Sequence, residues 1–174
     1  MTGPLPPTAA DSPVLDHPGV ARVHAALHAA GVTPEIVVLD DHARTAVEAA
    51  AQLGVGVEQI ASSLVFAVPD GTGTPGPLLV LTSGAHRVDT AAVAARIGAP
   101  RLDRVSAQDV RAWTGFAIGG VAPVGHTRPM PTLVDIALEG HDAIWAAAGH
   151  PRAVFRTSFT ELVRITGGRP VPVV

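Results

Sequence analysis

Apolar positions along the chain switch repeatedly between helical and strand-like spacing, and the switches predict short helices alternating with short strands. From Pro18, the residues Val20, Val23, Ala26, Leu27 and Ala30 recur at three- and four-residue steps and Gly31 follows, the pattern of an amphipathic helix with its stop. Ile36-Val37-Val38-Leu39 is an apolar run of strand length. Thr45 with Glu48 three residues on is a capping box, and the helix it opens carries Ala49, Ala50 and Leu53 and ends at Gly54. Residues 63–68 and 78–82 read as two strands joined by the Pro- and Gly-rich stretch 69–77, a hairpin-like connection. Val88 to Ile97 reads as helix stopped by Gly98, and Ser106 with Asp109 opens another that runs to about Trp113. Residues 132–136 and 143–147 are expected strands, with 154–156 a third. Ser158 and Glu161 cap a last helix that ends at Gly167-Gly168. Residues 1–17, rich in Pro, Thr and Ala without periodicity, are expected to be a disordered N-terminal segment, leaving 18–174 as one domain. Hairpins mixed with single helices, in place of strict βαβ alternation, point to an α+β fold with helices packed on a mixed, mostly antiparallel sheet.

Between the last polar helix of the middle region and the strand at 132 lies Thr114-Gly115-Phe116-Ala117-Ile118-Gly119-Gly120-Val121-Ala122-Pro123-Val124-Gly125-His126. Four glycines and a proline here make a turn that is both permissive and held: glycine admits positive φ and close approach, while Pro123 fixes its own φ and extends Ala122. Such a turn can present main-chain N–H groups to an oxyanion, a carbonyl or a phosphate. It can equally be a tight connection between two elements.

Composition narrows the chemistry. With 174 residues and 47% apolar content the chain can bury one substantial core. It has no cysteine, which excludes disulfides, thiolate metal sites and a cysteine nucleophile, and all twelve of its basic residues are arginine. The absence of lysine excludes Schiff-base chemistry. Neither a secretory signal pattern nor an apolar run of membrane-spanning length is present, so a soluble cytoplasmic protein is expected. The net charge of −3 argues against broad electrostatic binding of nucleic acid, yet residues 1–86 carry 2 arginines and 8 acids, or −6, whereas 87–174 carry 10 arginines and 7 acids, or +3. A basic face in the C-terminal half is consistent with that split, as is an ordinary solvated surface.

Several smaller constellations merit comparison with simpler explanations. His24 and His28 have the four-residue helical spacing of a metal pair but no third ligand in sequence, and surface histidines explain them as well. Ser83, His86 and Asp89 suggest a nucleophile with its base, but three-residue steps on one turn do not align a triad. His126, directly after the glycine turn, is a candidate proton carrier or an exposed turn residue. Asp135 ends a strand beside it and either orients a bound group or caps the next segment. Phe66, Phe116 and Trp113 can line a pocket, stack on a base, or simply fill core.

The order of these motifs resembles the YbaK/ProX family, free-standing relatives of the prolyl-tRNA synthetase editing domain. The resemblance rests on the Thr45 helix with Leu53-Gly54-Val55, Gln59-Ile60-Ala61-Ser62-Ser63-Leu64-Val65-Phe66, and Leu79-Val80-Leu81-Thr82-Ser83-Gly84 with Arg87 and Asp89. It continues through the Gly115–Gly125 turn, Thr132 with Asp135, and Gly149, spanning most of residues 18–167. It implies a curved sheet surrounded by helices and hydrolysis of the ester that joins a wrong amino acid to a tRNA. In that family a Gly-x-x-x-Pro loop, matched here by Gly119 to Pro123, supplies main-chain groups at the ester, and the attacking water is positioned partly by the substrate's ribose hydroxyl. By the same resemblance Gly119 and Ser62 are the candidate catalytic positions. Thr45, Phe66, Ser83, Gly84, Arg87, Gly120, Val121, Ala122, Pro123, His126 and Asp135 are the candidate substrate-binding ones. No cofactor is implied; the expected partners are the aminoacylated 3′ acceptor end of a tRNA and an aminoacyl-tRNA synthetase, with no membrane. One departure stands out: family members carry a lysine two residues before the leucine of the Leu64-Val65-Phe66 strand, where this chain has Ser62. A serine donates a hydrogen bond but no charge, and Arg87 is the candidate to supply it. A relative that kept the pocket and lost hydrolysis, binding an aminoacyl or nucleotide group or a synthetase, is the alternative reading.

Overall fold

Each of the five α-helices among the described residues starts on a side chain that accepts a hydrogen bond from its own first turn. The computed structural model describes residues 12–174. In α1 (Pro18–Ala29) the cap is His17, whose Nδ1 accepts from the Gly19 amide. Thr45 and Glu48 form the full capping box of α2 (Ala46–Leu53), and Asp89 caps α3 (Thr90–Ile97). Ser106 and Ser158 cap α4 (Ala107–Thr114) and α5 (Phe159–Thr166). Gly54, Gly98, Gly115 and Gly167 close α2 to α5 in the left-handed conformation that terminates a helix without a Cβ penalty. The local capping signals therefore translate directly into helix boundaries.

Eight strands form one open mixed sheet: β1 (Ile36–Val38), β2 (Ile60–Val68), β3 (Gly76–Ser83), β4 (Asp103–Arg104), β5 (Thr132–Asp135), β6 (Ile144–His150), β7 (Ala153–Thr157) and β8 (Arg169–Val171). The order is β1-β7-β6-β2-β3-β5-β8, with β4 pairing to β2 outside that path. Four pairings are antiparallel and three parallel. The β2–β3 hairpin is as expected, with Leu64 opposite Val80.

Alternation along β3 distributes two cores. Leu79 and Leu81 point to one face, where α1 (Val20, Val23, Leu27), Val110, Leu162 and the glycine turn (Phe116, Val121, Ala122) cover them. Leu78 and Val80 point to the other, against Val93 of α3 and Val171 and Val173. A third cluster packs Ala49 and Ala50 of α2 on Ile60.

Three differences from expectation have simple causes. Strands β4 and β8 were not anticipated, because two residues, or three including Pro170, carry no periodicity and are strands only through their partners β2 and β5. Residues 12–17, placed with the disordered segment, are ordered: Ser12 caps a 3-10 turn (Pro13–Asp16) and Val14 is buried in the main core. The rest of that segment, residues 1–11, lies outside the described residues.

Candidate functional site

The pairing of β2 leaves a gap. Its outer edge meets β6 only at Ile60 and Ala61 and β4 only at Phe66 and Ala67, so Ser62–Val65 has no strand on that side among the described residues. The glycine turn lies across the gap, and two cavities flank it. The larger, about 720 Å³, is lined by Phe66, Arg87, Asp89, Arg104 and Val110; the smaller, about 270 Å³, by Thr45, Ala49, Ile60, Ser62, Trp145 and His150. Ser63, Leu64, Ile118, Gly119 and Val121 line both, so they are two lobes of one cleft.

The turn over this cleft is pinned from outside. Arg22 of α1 donates from Nη2 to the Gly115 carbonyl at 2.8 Å and from Nε to the Gly125 carbonyl at 3.3 Å, and its guanidinium lies 4.6 Å from the Phe116 ring centre. One arginine thereby fixes both ends of the turn. Inside it, the Gly120 amide donates to the Ala117 carbonyl at 3.0 Å. The amides of Gly119, Val121 and Ala122 make no hydrogen bond among the described residues. Gly119 has φ +90 and lies beside Pro151, whereas a Cβ on Gly120 would meet the His150 backbone at 3.0–3.1 Å. Gly119 thus needs its conformation, and Gly120 needs its lack of a side chain.

Of the residues singled out in the sequence, Ser62, Thr45, Phe66, Arg87, Gly119 and Val121 come together at the cleft. The remaining candidate substrate-binding residues do not line it. Ala122 is fully buried in the core, and Pro123 and His126 line a separate cavity beyond the turn. Gly120 is buried against the His150 backbone and acts as a spacer. Ser83 is buried and its Oγ donates to the Glu58 carbonyl at 3.0 Å; Gly84 is packed against Val57 and Ala46. Asp135, 1% exposed, accepts from the Ser83 amide at 3.0 Å, His86 Nδ1 at 2.8 Å and the Ala137 amide at 3.0 Å, so it organises three chain segments and presents nothing to a ligand. His86 is therefore the partner of Asp135, and the Ser83–His86–Asp89 triad is not formed. Among the described residues no group of acidic or histidine side chains is arranged to hold a metal ion, and no helix is long and apolar enough to cross a membrane.

His126 donates from Nε2 to the Ala122 carbonyl at 2.7 Å and packs edge-on against Phe116. Burial pushes its pKa below the ordinary 6.5; the carbonyl opposes this and Arg22 adds to it. A histidine with a depressed native pKa binds fewer protons folded than unfolded, so its contribution to stability is present above pH 6.5 and is lost as pH falls through the native value. The denaturant midpoint is expected to drop between pH 7.5 and pH 5, and to drop less in His126→Gln, which keeps a donor for Ala122 but does not titrate; urea titrations across that range test it.

Two features were not read from the sequence. Arg22 sits on an ordinary amphipathic helix with nothing to mark it. His17, His42 and His150 converge from distant segments, with ring centres 5.0 Å (His17 to His150) and 5.8 Å (His42 to His150) apart.

Comparison with known proteins decides the family. Residues 40–165, more than half of the chain, match the aminoacyl-tRNA editing domain. The chain belongs to the aminoacyl-tRNA editing domain family. It is 30% identical over 141 residues to a proline–tRNA ligase of Nitratidesulfovibrio vulgaris, covering 75% of this chain but 24% of the ligase, so it spans about a quarter of that relative's length. Over 130 residues it is 25% identical to a candidate Cys-tRNA(Pro)/Cys-tRNA(Cys) deacylase, EbsC, of Enterococcus faecalis, covering 75% of this chain and 76% of EbsC. A crystal structure described as a candidate trans-editing enzyme for prolyl tRNA synthetase superposes with a TM-score of 0.81 at 41% identity, covering 90% of this chain and 97% of that one. This editing-domain chain and that neighbour share the YbaK-like architecture.

Proposed function

We propose that this protein is a trans-editing deacylase that hydrolyses the ester of a mischarged tRNA in the cleft between the glycine turn and the open edge of β2. The observation that carries the reading is the position of Gly119 and Val121: both line the cleft, and their amides are free of hydrogen bonds among the described residues. Preorganised amides at a developing oxyanion lower a barrier by about 3–4 kcal/mol per donor. In the reaction, water adds to the ester carbonyl carbon and the oxyanion forms against the amides. The C–O bond to the ribose then breaks, the ribose oxygen takes a proton, and the amino acid leaves with a free carboxyl group. No side chain of the cleft needs to act as nucleophile if the neighbouring ribose hydroxyl positions the water.

The two lobes suit the two ends of such a substrate. Their volumes fall at or near the range of about 300–1,000 Å³ typical of small-molecule sites. Phe66 in the larger lobe offers a face to the terminal base, and Arg87 and Arg104 offer charge to its phosphate. The smaller lobe, walled by Ala49, Ile60, Trp145 and Ala146, suits the aminoacyl side chain. A terminus recognised in this way needs few phosphate contacts, which is compatible with the acidic net charge. Partnership with a synthetase belongs to the same proposal.

Purified protein mixed with a panel of radiolabelled mischarged tRNAs is the test. Release faster than spontaneous hydrolysis, reduced at least tenfold in Gly119→Ala because a Cβ at φ +90 strains the turn, is the expected result. Arg87→Ala is expected to lower kcat/KM about tenfold through loss of a charged contact; unchanged kcat/KM removes Arg87 from the site. A second reading rests on Ser62, which lines the smaller lobe at the position where the family resemblance implies a lysine: a binding module without hydrolysis. Retained binding of the aminoacylated end with no enzyme-dependent release supports it.

A further inference from the structure

We propose that the imidazole of His150, held by Arg152 and flanked by His17 and His42, is a side-chain hydrogen-bond donor of the smaller lobe, presenting Nε2–H to the acyl group of the bound aminoacyl end. The inference rests on the deacylase reading and adds a side-chain donor beside the main-chain amides of the glycine turn.

The geometry settles which nitrogen carries the proton. His150 Nδ1 accepts from the Arg152 amide at 3.0 Å, so that nitrogen is unprotonated and the neutral ring bears its hydrogen on Nε2. Nε2 has no partner among the described residues, while the residue itself lines the smaller lobe together with Ser62 and Thr45. The ring is held firmly. Its turn is tied to the segment after β1 by the Leu39 amide to the Arg152 carbonyl at 2.7 Å, the Arg152 Nε to the Leu39 carbonyl at 2.8 Å, and the Ala43 amide to the Pro151 carbonyl at 3.2 Å. The His150 backbone also forms the floor on which Gly120 rests, so the donor's own main chain packs directly against the amide-bearing turn.

The surroundings favour the neutral ring. Burial lowers its pKa from 6.5, and His17 from the start of α1, His42 from the segment after β1 and Arg152 from its own turn push in the same direction; none of these contributors is a carboxylate. Arg44 lies on the same lobe wall. Protonation would place a hydrogen on Nδ1, facing the Arg152 N–H, and would turn the ring out of position. A neutral N–H donor serves a chain that has no lysine to place there.

The experiment has two arms on the intact protein. In the first, ¹⁵N NMR of the imidazoles at pH 7.5 is expected to show His150 as the neutral Nε2–H tautomer, shifting on addition of 3′-(alanylamino)-3′-deoxyadenosine while exposed His24 stays in place. A protonated or Nδ1–H ring, or no shift with the analogue bound, overturns the inference. In the second, deacylation of mischarged tRNA is expected to fall about tenfold in His150→Ala, to recover partly in His150→Gln, and to be unchanged in His24→Ala. Wild-type activity is expected to decline as pH falls below 6.5, with a flatter profile in His150→Gln. Wild-type hydrolysis that His150→Ala leaves intact overturns the role of His150 and spares the deacylase reading. An analogue-induced His150 shift in a protein that never hydrolyses supports the donor and removes the deacylase reading.

Discussion

Gly149→Ala is expected to destabilise the fold by about 4 kcal/mol, the sum of a strained backbone and an overpacked contact, or roughly 8–16 °C in Tm for a domain of this size. Gly149 has φ +92 near the end of β6, and a Cβ there would overlap the Gly19 carbonyl and come within 3.0 Å of the Val20 amide nitrogen. Gly19 returns the contact, since its own Cβ would overlap the Gly149 carbonyl. Here α1 meets β6 backbone to backbone, and neither side has a flexible atom that can give way. Gly31→Ala is the control: its φ is +78 but nothing lies within 4 Å, so only the conformational cost, on the order of 1–2 kcal/mol, is expected. Thermal unfolding of both variants checks the pair. Equal shifts would mean that close packing at Gly149 contributes nothing.

Asp135→Ala is expected to cost about 3 kcal/mol, because removal of a buried carboxylate leaves the donors around it unsatisfied. The Ser83 and Ala137 amides and the His86 ring all lose their acceptor, and the Thr82 hydroxyl loses one at 3.4 Å. The same variant separates structure from function. If Asp135 only ties β3, β5 and the His86 turn together, the Tm falls while folded protein, assayed well below that Tm, deacylates at close to the wild-type rate. A normal Tm with lost activity would return Asp135 to the binding site from which its burial removes it.

Local chemistry made much of the fold legible. Thr45 with Glu48, Ser106 with Asp109 and Ser158 with Glu161 each satisfy first-turn amides from within four residues, so the signal needs no knowledge of the rest of the chain. The hairpin of β2 and β3 was equally readable, with two apolar runs on either side of a Gly- and Pro-rich loop. The glycine turn was recognisable as a rigid presenter of main chain. Its composition did not reveal which amides are free: Gly120 uses its own on Ala117, while Gly119 and Val121 leave theirs open. The burial of Asp135 and Ser83 was not legible for a related reason. A polar residue at a strand end looks the same in sequence whether it faces a cavity or is sealed inside by its neighbours.

Residue order along the chain was enough to specify the helices, the N-caps of α2, α4 and α5, the hairpin, the absence of thiol and lysine chemistry, and the family resemblance. All of these depend on contacts between near neighbours or on residue types alone. Long-range pairing produced the rest. The cleft exists because β6 leaves β2 after Ala61 and β4 does not reach it until Phe66, and Arg22 reaches both ends of a turn some hundred residues away. His17, His42 and His150 meet only because α1, the segment after β1 and the β6–β7 turn pack on one another. Which distant segments become adjacent is settled by burying the apolar faces together, and no local pattern records that outcome.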